Sequence, residues 1–125
     1  MSEIANRLLA GLSVLVVEDE AIISFMVEDM LSELGAQDVR VAANVANALA
    51  LIDSKKPDLA VLDVNLGGER AYPVAERLDA DGIPFVFTTG YGKSGLDPRW
   101  TAKTVVQKPF TVPIMADALR GLLRR

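Results

Sequence analysis

The sequence contains neither cysteine nor histidine among its 125 residues. Without cysteine the chain forms no disulfide, offers no thiolate to a metal and has no cysteine nucleophile. Without histidine it lacks Ser-His-Asp chemistry and the common zinc sites, and it carries no phosphohistidine of its own. We therefore expect its polar chemistry to come from Asp, Glu, Ser, Thr, Lys and Arg.

Long apolar runs and an excess of basic charge are also missing. No apolar stretch approaches the roughly 20 residues that span a bilayer, and the N-terminal residues do not resemble a signal peptide. The net charge of −4 argues against nucleic acid as a direct partner. Half of the residues are apolar, which suffices for a packed core. We expect one small soluble domain in the cytoplasm, without membrane contact.

Short apolar runs alternate with segments of helical spacing along the chain. The predicted strands are Leu12–Val17, Val39–Ala42, Leu59–Asp63, Phe85–Thr88 and Thr104–Gln107. The predicted helices are Ala21–Leu34, Val45–Ser54, Tyr72–Ala80 and Thr111–Leu123. Such alternation favours right-handed βαβ crossovers and one parallel sheet that is covered on both faces.

Caps and glycines predict where several helices begin and end. Asn44 and Thr111 are expected N-caps, and Gly35 is well placed to end the first helix. The apolar residues of that helix recur at helical spacing, as in a helix with one apolar face. They are Ile22, Phe25, Met26, Met30 and Leu34.

Two segments fit the alternation less well. Gly90–Lys103 contains three glycines and a proline, so we predict a loop with at best one turn rather than a regular helix. A short extra helix over Ser2–Ala10 is a further hypothesis.

Polar residues follow four of the predicted strands. Glu18 and Asp19 follow the first, Asp63 ends the third, Thr89 follows the fourth and Lys108 follows the fifth. Open parallel sheets bind ligands at the carboxyl ends of their strands. We therefore expect these side chains to meet at one edge of the sheet.

The acidic residues suit a hard divalent cation such as Mg²⁺, which prefers oxygen ligands. Asp19 and Asp63 would ligate the ion directly with the backbone carbonyl of Asn65, and Glu18 would act through water. An aspartate beside a metal can attack phosphorus and form an acyl phosphate. Asp63 is therefore the candidate nucleophile.

The remaining strand-end residues suit the same chemistry. Phosphoryl transfer needs neutralisation of the phosphoryl oxygens rather than a strong base. Lys108 supplies a positive charge, Thr89 supplies a hydroxyl, and Gly90 allows a phosphoryl group to approach the backbone. Each of these residues alone has a simpler interpretation, such as a solvated loop, a turn or a helix N-terminus. Their conjunction at four strand ends favours a shared site.

Four stretches match a known family in order: VLVVEDE, LAVLDVNLGGE, PFVFTTGYG and VVQKPF. With them the chain resembles, from about Ser13 to Leu123, the receiver domain of bacterial two-component response regulators. The resemblance implies an α/β fold, a (βα)5 doubly wound parallel sheet of flavodoxin/CheY-like type with strand order 2-1-3-4-5. It implies a single receiver domain over residues 1–125, with its core at about 12–123 and a fourth helix that is short or disordered.

The resemblance also implies a role for each site residue. Asp63 would accept a phosphoryl group from a phosphohistidine of a histidine kinase or histidine phosphotransfer protein. Glu18 and Asp19 would hold Mg²⁺ together with Asp63. Thr89 would be the switch hydroxyl, and Lys108 would pair with the phosphoryl group.

The sequence departs from the common receiver pattern around the switch. Val105 stands where many receivers have Tyr or Phe, and Gly90 follows the switch threonine where alanine is common. FTTGYG resembles a subgroup, often stand-alone, whose signature reads Phe-Ala-Thr-Gly-x-Gly, with Thr88 in place of the alanine. These departures suggest a switch that reshapes Gly90–Lys103 instead of rotating an aromatic ring.

The expected function is that of a single-domain response regulator, which is not an enzyme in the turnover sense. Its output would pass through a downstream protein that the sequence does not identify, with Tyr91, Leu96 and Trp100 as candidate contacts. The alternative is that these three side chains pack the loop onto the sheet. The resemblance leaves open a homodimer that forms on phosphorylation.

Three alternatives remain beside this interpretation. A degenerate receiver would be a binding module that is never phosphorylated. An aspartyl-phosphate phosphatase would typically carry a second aspartate two residues after the nucleophile, where this chain has Asn65. The chain would also fit a receiver excised from a hybrid kinase or from a longer regulator.

Overall fold

The computed structural model describes residues 7–90 and 95–124. The strands of its main sheet are β1 (Ser13–Val17), β2 (Asp38–Ala42), β3 (Leu59–Asp63), β4 (Phe85–Thr89) and β5 (Val105–Gln107). The α-helices of the described residues are α1 (Ala21–Glu33), α2 (Val45–Ser54), α3 (Tyr72–Ala80) and α4 (Val112–Leu123). Each of the five strands and four helices of the predicted alternation is present, and its bounds differ from the prediction by at most one residue at either end.

The five strands pair in parallel in the order β2-β1-β3-β4-β5. This confirms the doubly wound α/β fold. An apolar cluster covers each face of the sheet, one built with α2 and α3 and the other with α1 and α4. Alternate residues of a strand point to opposite faces, so Leu15 and Val17 join the first cluster while Val14 and Val16 join the second.

Helix ends follow the predicted caps. The side chain of Asn44 accepts a hydrogen bond from the backbone N–H of Asn47 at 2.8 Å, where α2 begins. Thr111 caps α4 in the same way through the N–H of Ile114 at 3.4 Å. Gly35 follows α1 with a φ of 96°, a left-handed conformation that favours glycine. These three predictions are confirmed.

The apolar spacing of α1 does not mark the buried face of that helix. The buried residues within α1 are Ser24, Val27 and Leu31. The most exposed apolar side chains are Ile22 at 77%, Phe25 at 70% and Met26 at 52%. Ser24 occupies a core position because its hydroxyl donates to the carbonyl of Ala21 at 3.0 Å, which satisfies its polar group locally.

Within residues 95–104, the crossover from β4 to β5 contains a short 3₁₀ turn at Pro98–Trp100 and no α-helix. This agrees with the prediction that a regular helix is absent there. Leu96 and Trp100 are only 6% and 3% exposed and belong to the core. The prediction that they are exposed contacts for a partner is therefore wrong, and they pack the crossover onto the sheet. Tyr91 lies outside the described residues.

A hairpin between β3 and α3 is absent from the sequence prediction. Two-residue strands, Asn65–Leu66 and Glu69–Arg70, pair antiparallel across Gly67 and Gly68. Both glycines have positive φ, 63° and 95°, as a two-residue hairpin turn requires. The Gly-Gly pair between the two strands was the signal that could have identified it.

Of the N-terminal helix predicted over Ser2–Ala10, residues 7–10 form a turn instead, and the rest lies outside the described residues. Leu9 is fully buried, and Ala10 forms an isolated antiparallel bridge with Ala36. In the described part of the chain, no helix has the length and apolar character needed to cross a bilayer.

Candidate functional site

The carboxyl ends of β1, β3, β4 and β5 meet at one edge of the sheet. A pocket of about 340 Å³ opens there. Its charged and polar lining residues are Glu20, Asp63, Asn65, Arg70, Thr89 and Lys108. Side chains that are far apart in sequence thus come together at this edge, as the parallel topology requires.

Three carboxylates form an acidic cluster beside this pocket. One oxygen from each of Glu18, Asp19 and Asp63 lies within 4.8 Å of the other two. Glu18 and Asp63 are buried, at 4% and 6% exposure, whereas Asp19 is exposed. Like charges at this separation repel one another, and a bound cation would relieve that repulsion. An all-oxygen donor set with an open side fits a hard ion such as Mg²⁺.

Lys108 provides a fixed positive charge next to the acidic cluster. Its Nζ lies 2.7 Å from Oε1 of Glu18 and 3.2 Å from Oδ2 of Asp63. Burial lowers the pKa of Lys108, but the hydrogen bond to Glu18 and the charge of Asp63 raise it overall above the usual 10.5. Lys108 therefore stays protonated at neutral pH.

Glu18 is the least solvated of the acids. Burial raises its pKa above the usual 4.5, the hydrogen bond from Lys108 opposes that rise, and the charge of Asp63 adds to it. The other carboxylate oxygen of Glu18, Oε2, accepts the backbone N–H of Glu20 at 3.2 Å. Both oxygens of Glu18 therefore already have donors, which suits the predicted action through water.

Thr89 is the last residue of β4 and is 4% exposed. Its carbonyl accepts the backbone N–H of Lys108 at 2.9 Å, which holds the ends of β4 and β5 together. Because side chains alternate along a strand, Thr89 lines the pocket whereas its neighbour Thr88 does not.

The hairpin after β3 forms one wall of the site. Asn65 lines the pocket, and its side-chain oxygen accepts the N–H of Gly68 at 3.2 Å. The use of its backbone carbonyl as a metal ligand stays a prediction. A Cβ on Gly67 would lie 3.2 Å from Oδ2 of Asp19, so the turn approaches the acidic cluster closely.

Sequence reasoning missed two residues at this site. Arg70 lines the pocket from the second strand of the hairpin. Glu69, its neighbour, accepts the N–H of Val45 at 3.0 Å and so fastens the hairpin to the start of α2. Recognition of the Gly-Gly turn would have placed Arg70 in the pocket around Asp63.

The family model for the response regulator receiver domain matches residues 14–120, and the chain belongs to this family. The phosphate regulon transcriptional regulatory protein PhoB of Pseudomonas aeruginosa is 32% identical over 126 residues, which cover 94% of this chain and 54% of PhoB. The chain spans about half the length of several curated relatives that it matches.

A solved structure of similar size also matches. The solution structure of SdrG from Sphingomonas melonis Fr1 is 45% identical, covers 98% of this chain and 99% of that one, and superposes with a TM-score of 0.81. The BeF3-activated conformation of SdrG is 47% identical, covers 91% of this chain and 98% of that one, and has a TM-score of 0.79.

Proposed function

We propose that this chain is the phosphoacceptor of a two-component phosphorelay in the cytoplasm. Asp63 takes a phosphoryl group from a phosphohistidine of a sensor kinase or phosphotransfer protein, and the modified domain switches a protein–protein contact. The observation that carries this proposal is the position of Lys108 Nζ, within 3.2 Å of the buried carboxylates of Glu18 and Asp63 in the acidic cluster. The match to a receiver in a BeF3-activated conformation supports it.

In the proposed reaction a carboxylate oxygen of Asp63 attacks the phosphorus atom. The P–N bond to the donor imidazole breaks, and the imidazole nitrogen keeps the electron pair. Lys108 pairs with the phosphoryl oxygens, and the hydroxyl of Thr89 donates to one of them. No general base is needed, because neutralisation of the phosphoryl charge rather than base catalysis lowers the barrier.

Magnesium is the proposed cofactor. Asp19, Asp63 and the backbone carbonyl of Asn65 would hold it, with Glu18 acting through water. When bound, the ion neutralises charge on the phosphoryl oxygens. Asp19 is the exposed member of the acidic cluster, so a hydrated Mg²⁺ ion could reach it from solvent.

An apolar groove beside the site offers a docking place for the donor. The groove measures about 350 Å³ and is lined by α1 and by the segment after β5. It shares Ile23 and Lys108 with the pocket around Asp63. We assign it to the helix that carries the phosphohistidine, because a helix laid there brings its reactive side chain to Asp63.

Phe25 of α1 is exposed and precedes Met26, which lines the groove. We expect Phe25→Ser to slow phosphorylation by a purified phosphorylated kinase about tenfold, since truncation of an aromatic anchor costs about 1–2 kcal/mol. Phosphorylation by acetyl phosphate, which needs no docking, serves as the internal control. An equal loss with both donors would contradict this assignment.

The switch itself is proposed to act through residues 90–103. Val105 cannot undergo aromatic rotation, whereas this crossover directly follows Thr89. We expect amide hydrogen exchange in residues 95–103 to change when the domain is phosphorylated. Exchange that is slow and identical in both states would contradict this mode of switching.

Intact mass after incubation with Mg²⁺ and acetyl phosphate tests the proposed function. The parent protein should gain one phosphoryl group, and Asp63→Ala should gain none. Asp117→Ala, which removes a carboxylate from the exposed side of α4, is the matched control and should behave like the parent. No gain in the parent, even from a phosphorylated histidine kinase, would favour an unphosphorylated binding module.

A further inference from the structure

Arg70 is the one basic residue, besides Lys108, among the described residues that line the pocket around Asp63. Adjacent residues of a strand point to opposite faces. Glu69 is fastened to α2 through the N–H of Val45, so Arg70 points to the other face of the hairpin. Its cross-strand neighbour is Asn65, which lines the same pocket.

The two basic residues of the pocket differ in their existing partners. Lys108 is already paired with Glu18 and Asp63. Arg70 is exposed, and in the described part of the chain its side chain has neither a hydrogen bond nor an ion pair. Its guanidinium presents five N–H donors in a planar fork.

The phosphorylated pocket would keep an excess of negative charge even with Lys108 and the proposed Mg²⁺ in place. The acidic cluster contributes three carboxylates, and Glu20 adds a fourth at the rim. A phosphoryl group on Asp63 would bring further negative charge. An arginine at the mouth is suited to bind the phosphoryl oxygen that faces solvent, because guanidinium and phosphoryl groups form paired, charge-assisted hydrogen bonds.

We propose that Arg70 binds the phosphoryl group of phosphorylated Asp63 from the solvent side and shields it from water. This inference rests on the proposed phosphoacceptor function. In the hydrolysis that Arg70 slows, a water oxygen attacks phosphorus, the bond between phosphorus and the Asp63 oxygen breaks, and a free carboxylate and inorganic phosphate form. The water proton passes to solvent. Arg70 thereby lengthens the lifetime of the acyl phosphate.

Three variants test this role. Arg70→Gln removes the charge and keeps the polarity, and Arg70→Lys keeps the charge without the planar fork. Arg120→Gln removes the same charge from α4, where Arg120 pairs with Asp117, and controls for net charge. Since Arg70 is exposed, all variants should fold, which thermal unfolding verifies.

The lifetime of the phosphorylated protein is measured by intact mass after removal of acetyl phosphate. Affinity for beryllofluoride with Mg²⁺ is measured by NMR titration and requires no chemical step. We expect Arg70→Gln to shorten the lifetime and weaken beryllofluoride binding, each about threefold to tenfold, as for a solvent-exposed charge-assisted pair. The lifetime and affinity of Arg70→Lys should lie between those of the parent and Arg70→Gln, and those of Arg120→Gln should match the parent.

Equal lifetimes and affinities in the parent and Arg70→Gln would overturn the role of Arg70 while leaving Asp63 as acceptor. Equal losses in Arg70→Gln and Arg120→Gln would also overturn it, because they would reflect net charge alone. A parent protein that is not phosphorylated at all would overturn the proposed function and this inference with it.

Discussion

The two loops that follow β3 and β4 flank the same site but are held in different ways. The hairpin at residues 65–70 closes through two glycines with positive φ. The crossover at residues 95–104 is held by buried side chains, chiefly Leu96 and Trp100. Trp100 stacks on Tyr72 with ring centroids 6.3 Å apart and an interplanar angle of 12°. It also meets Phe87 edge-on at 5.9 Å.

Because of this difference, we expect the hairpin to affect the chemistry of the site and the crossover to affect the stability of the fold. The hairpin is fixed by backbone conformation, and a side chain added at Gly67 would crowd Asp19 of the acidic cluster. The crossover is fixed by side-chain burial, and its anchors lie in the apolar cluster with α2 and α3. Substitutions in the hairpin should therefore alter the site more than the stability, and substitutions of the crossover anchors should do the reverse.

The largest effect is expected for Trp100→Ala. It empties a core position and should lower the free energy of unfolding by about 3–5 kcal/mol in urea denaturation. Trp100→Phe keeps part of the aromatic contact and should cost less. At temperatures where both variants are folded, their initial rates of phosphorylation by acetyl phosphate should stay near the parent rate. A parallel loss of rate and stability would show that the crossover is part of the chemical site.

Gly67→Ala tests the hairpin against a matched glycine. Gly67 and Gly82 have similar positive φ, 63° and 69°, so alanine at either position should cost about 1–2 kcal/mol of stability. Only at Gly67 would the new Cβ crowd Asp19, whereas nothing lies within 4 Å at Gly82. We expect calorimetric Mg²⁺ affinity to fall about tenfold in Gly67→Ala alone. Equal affinities in the two variants would refute the close approach.

The pH dependence of the free energy of unfolding distinguishes the contribution of the acidic cluster from those of the two loops. The pKa of Glu18 is raised in the folded protein, chiefly by burial, so between its usual and folded values the native state binds more protons than the unfolded state. Without Mg²⁺, the free energy of unfolding should therefore fall as pH rises through this window. Glu18→Gln should remove that part of the slope, whereas Trp100→Ala should keep it. An unchanged slope in Glu18→Gln would contradict this cause.

The smallest effects are expected for one hydrogen bond in each loop. The hydroxyl of Tyr72 accepts the N–H of Asp97 at 2.8 Å, and Glu69 accepts the N–H of Val45 at 3.0 Å. Tyr72→Phe and Glu69→Ala should each lower the free energy of unfolding by about 0.5–1.5 kcal/mol. Of the two, only Glu69→Ala should shift the amide resonances of Asn65 and Arg70. Shifts there in Tyr72→Phe would mean that the loops are coupled.

Much of the fold was predictable because the sheet is parallel and buried. Runs such as Leu59–Asp63 are apolar up to their last residue, and helices between them have caps like Asn44. The strand-end residues Glu18, Asp63 and Lys108 could be assigned to one edge because topology alone brings strand ends together.

The errors in the sequence prediction concern side chains whose burial or position depends on tertiary packing, which a local sequence pattern does not determine. Helical spacing in α1 reveals apolar stripes but not which of them faces the sheet, so exposed Phe25 was grouped with buried Leu34. Trp100 in a glycine-rich loop gave no sign of its burial, which depends on the gap between α3 and β4. Arg70 was missed because its position depends on a turn only two residues long.

The ion pair between Lys108 and Glu18 joins residues 90 positions apart, and this separation has a consequence for biosynthesis. Contacts of such long range close large loops and are expected to form late in folding. A nascent chain that has not yet supplied β5 carries the acids but not the lysine. The proposed ability to accept a phosphoryl group would then appear only when β5 is in place, so that it would depend on the fully folded domain.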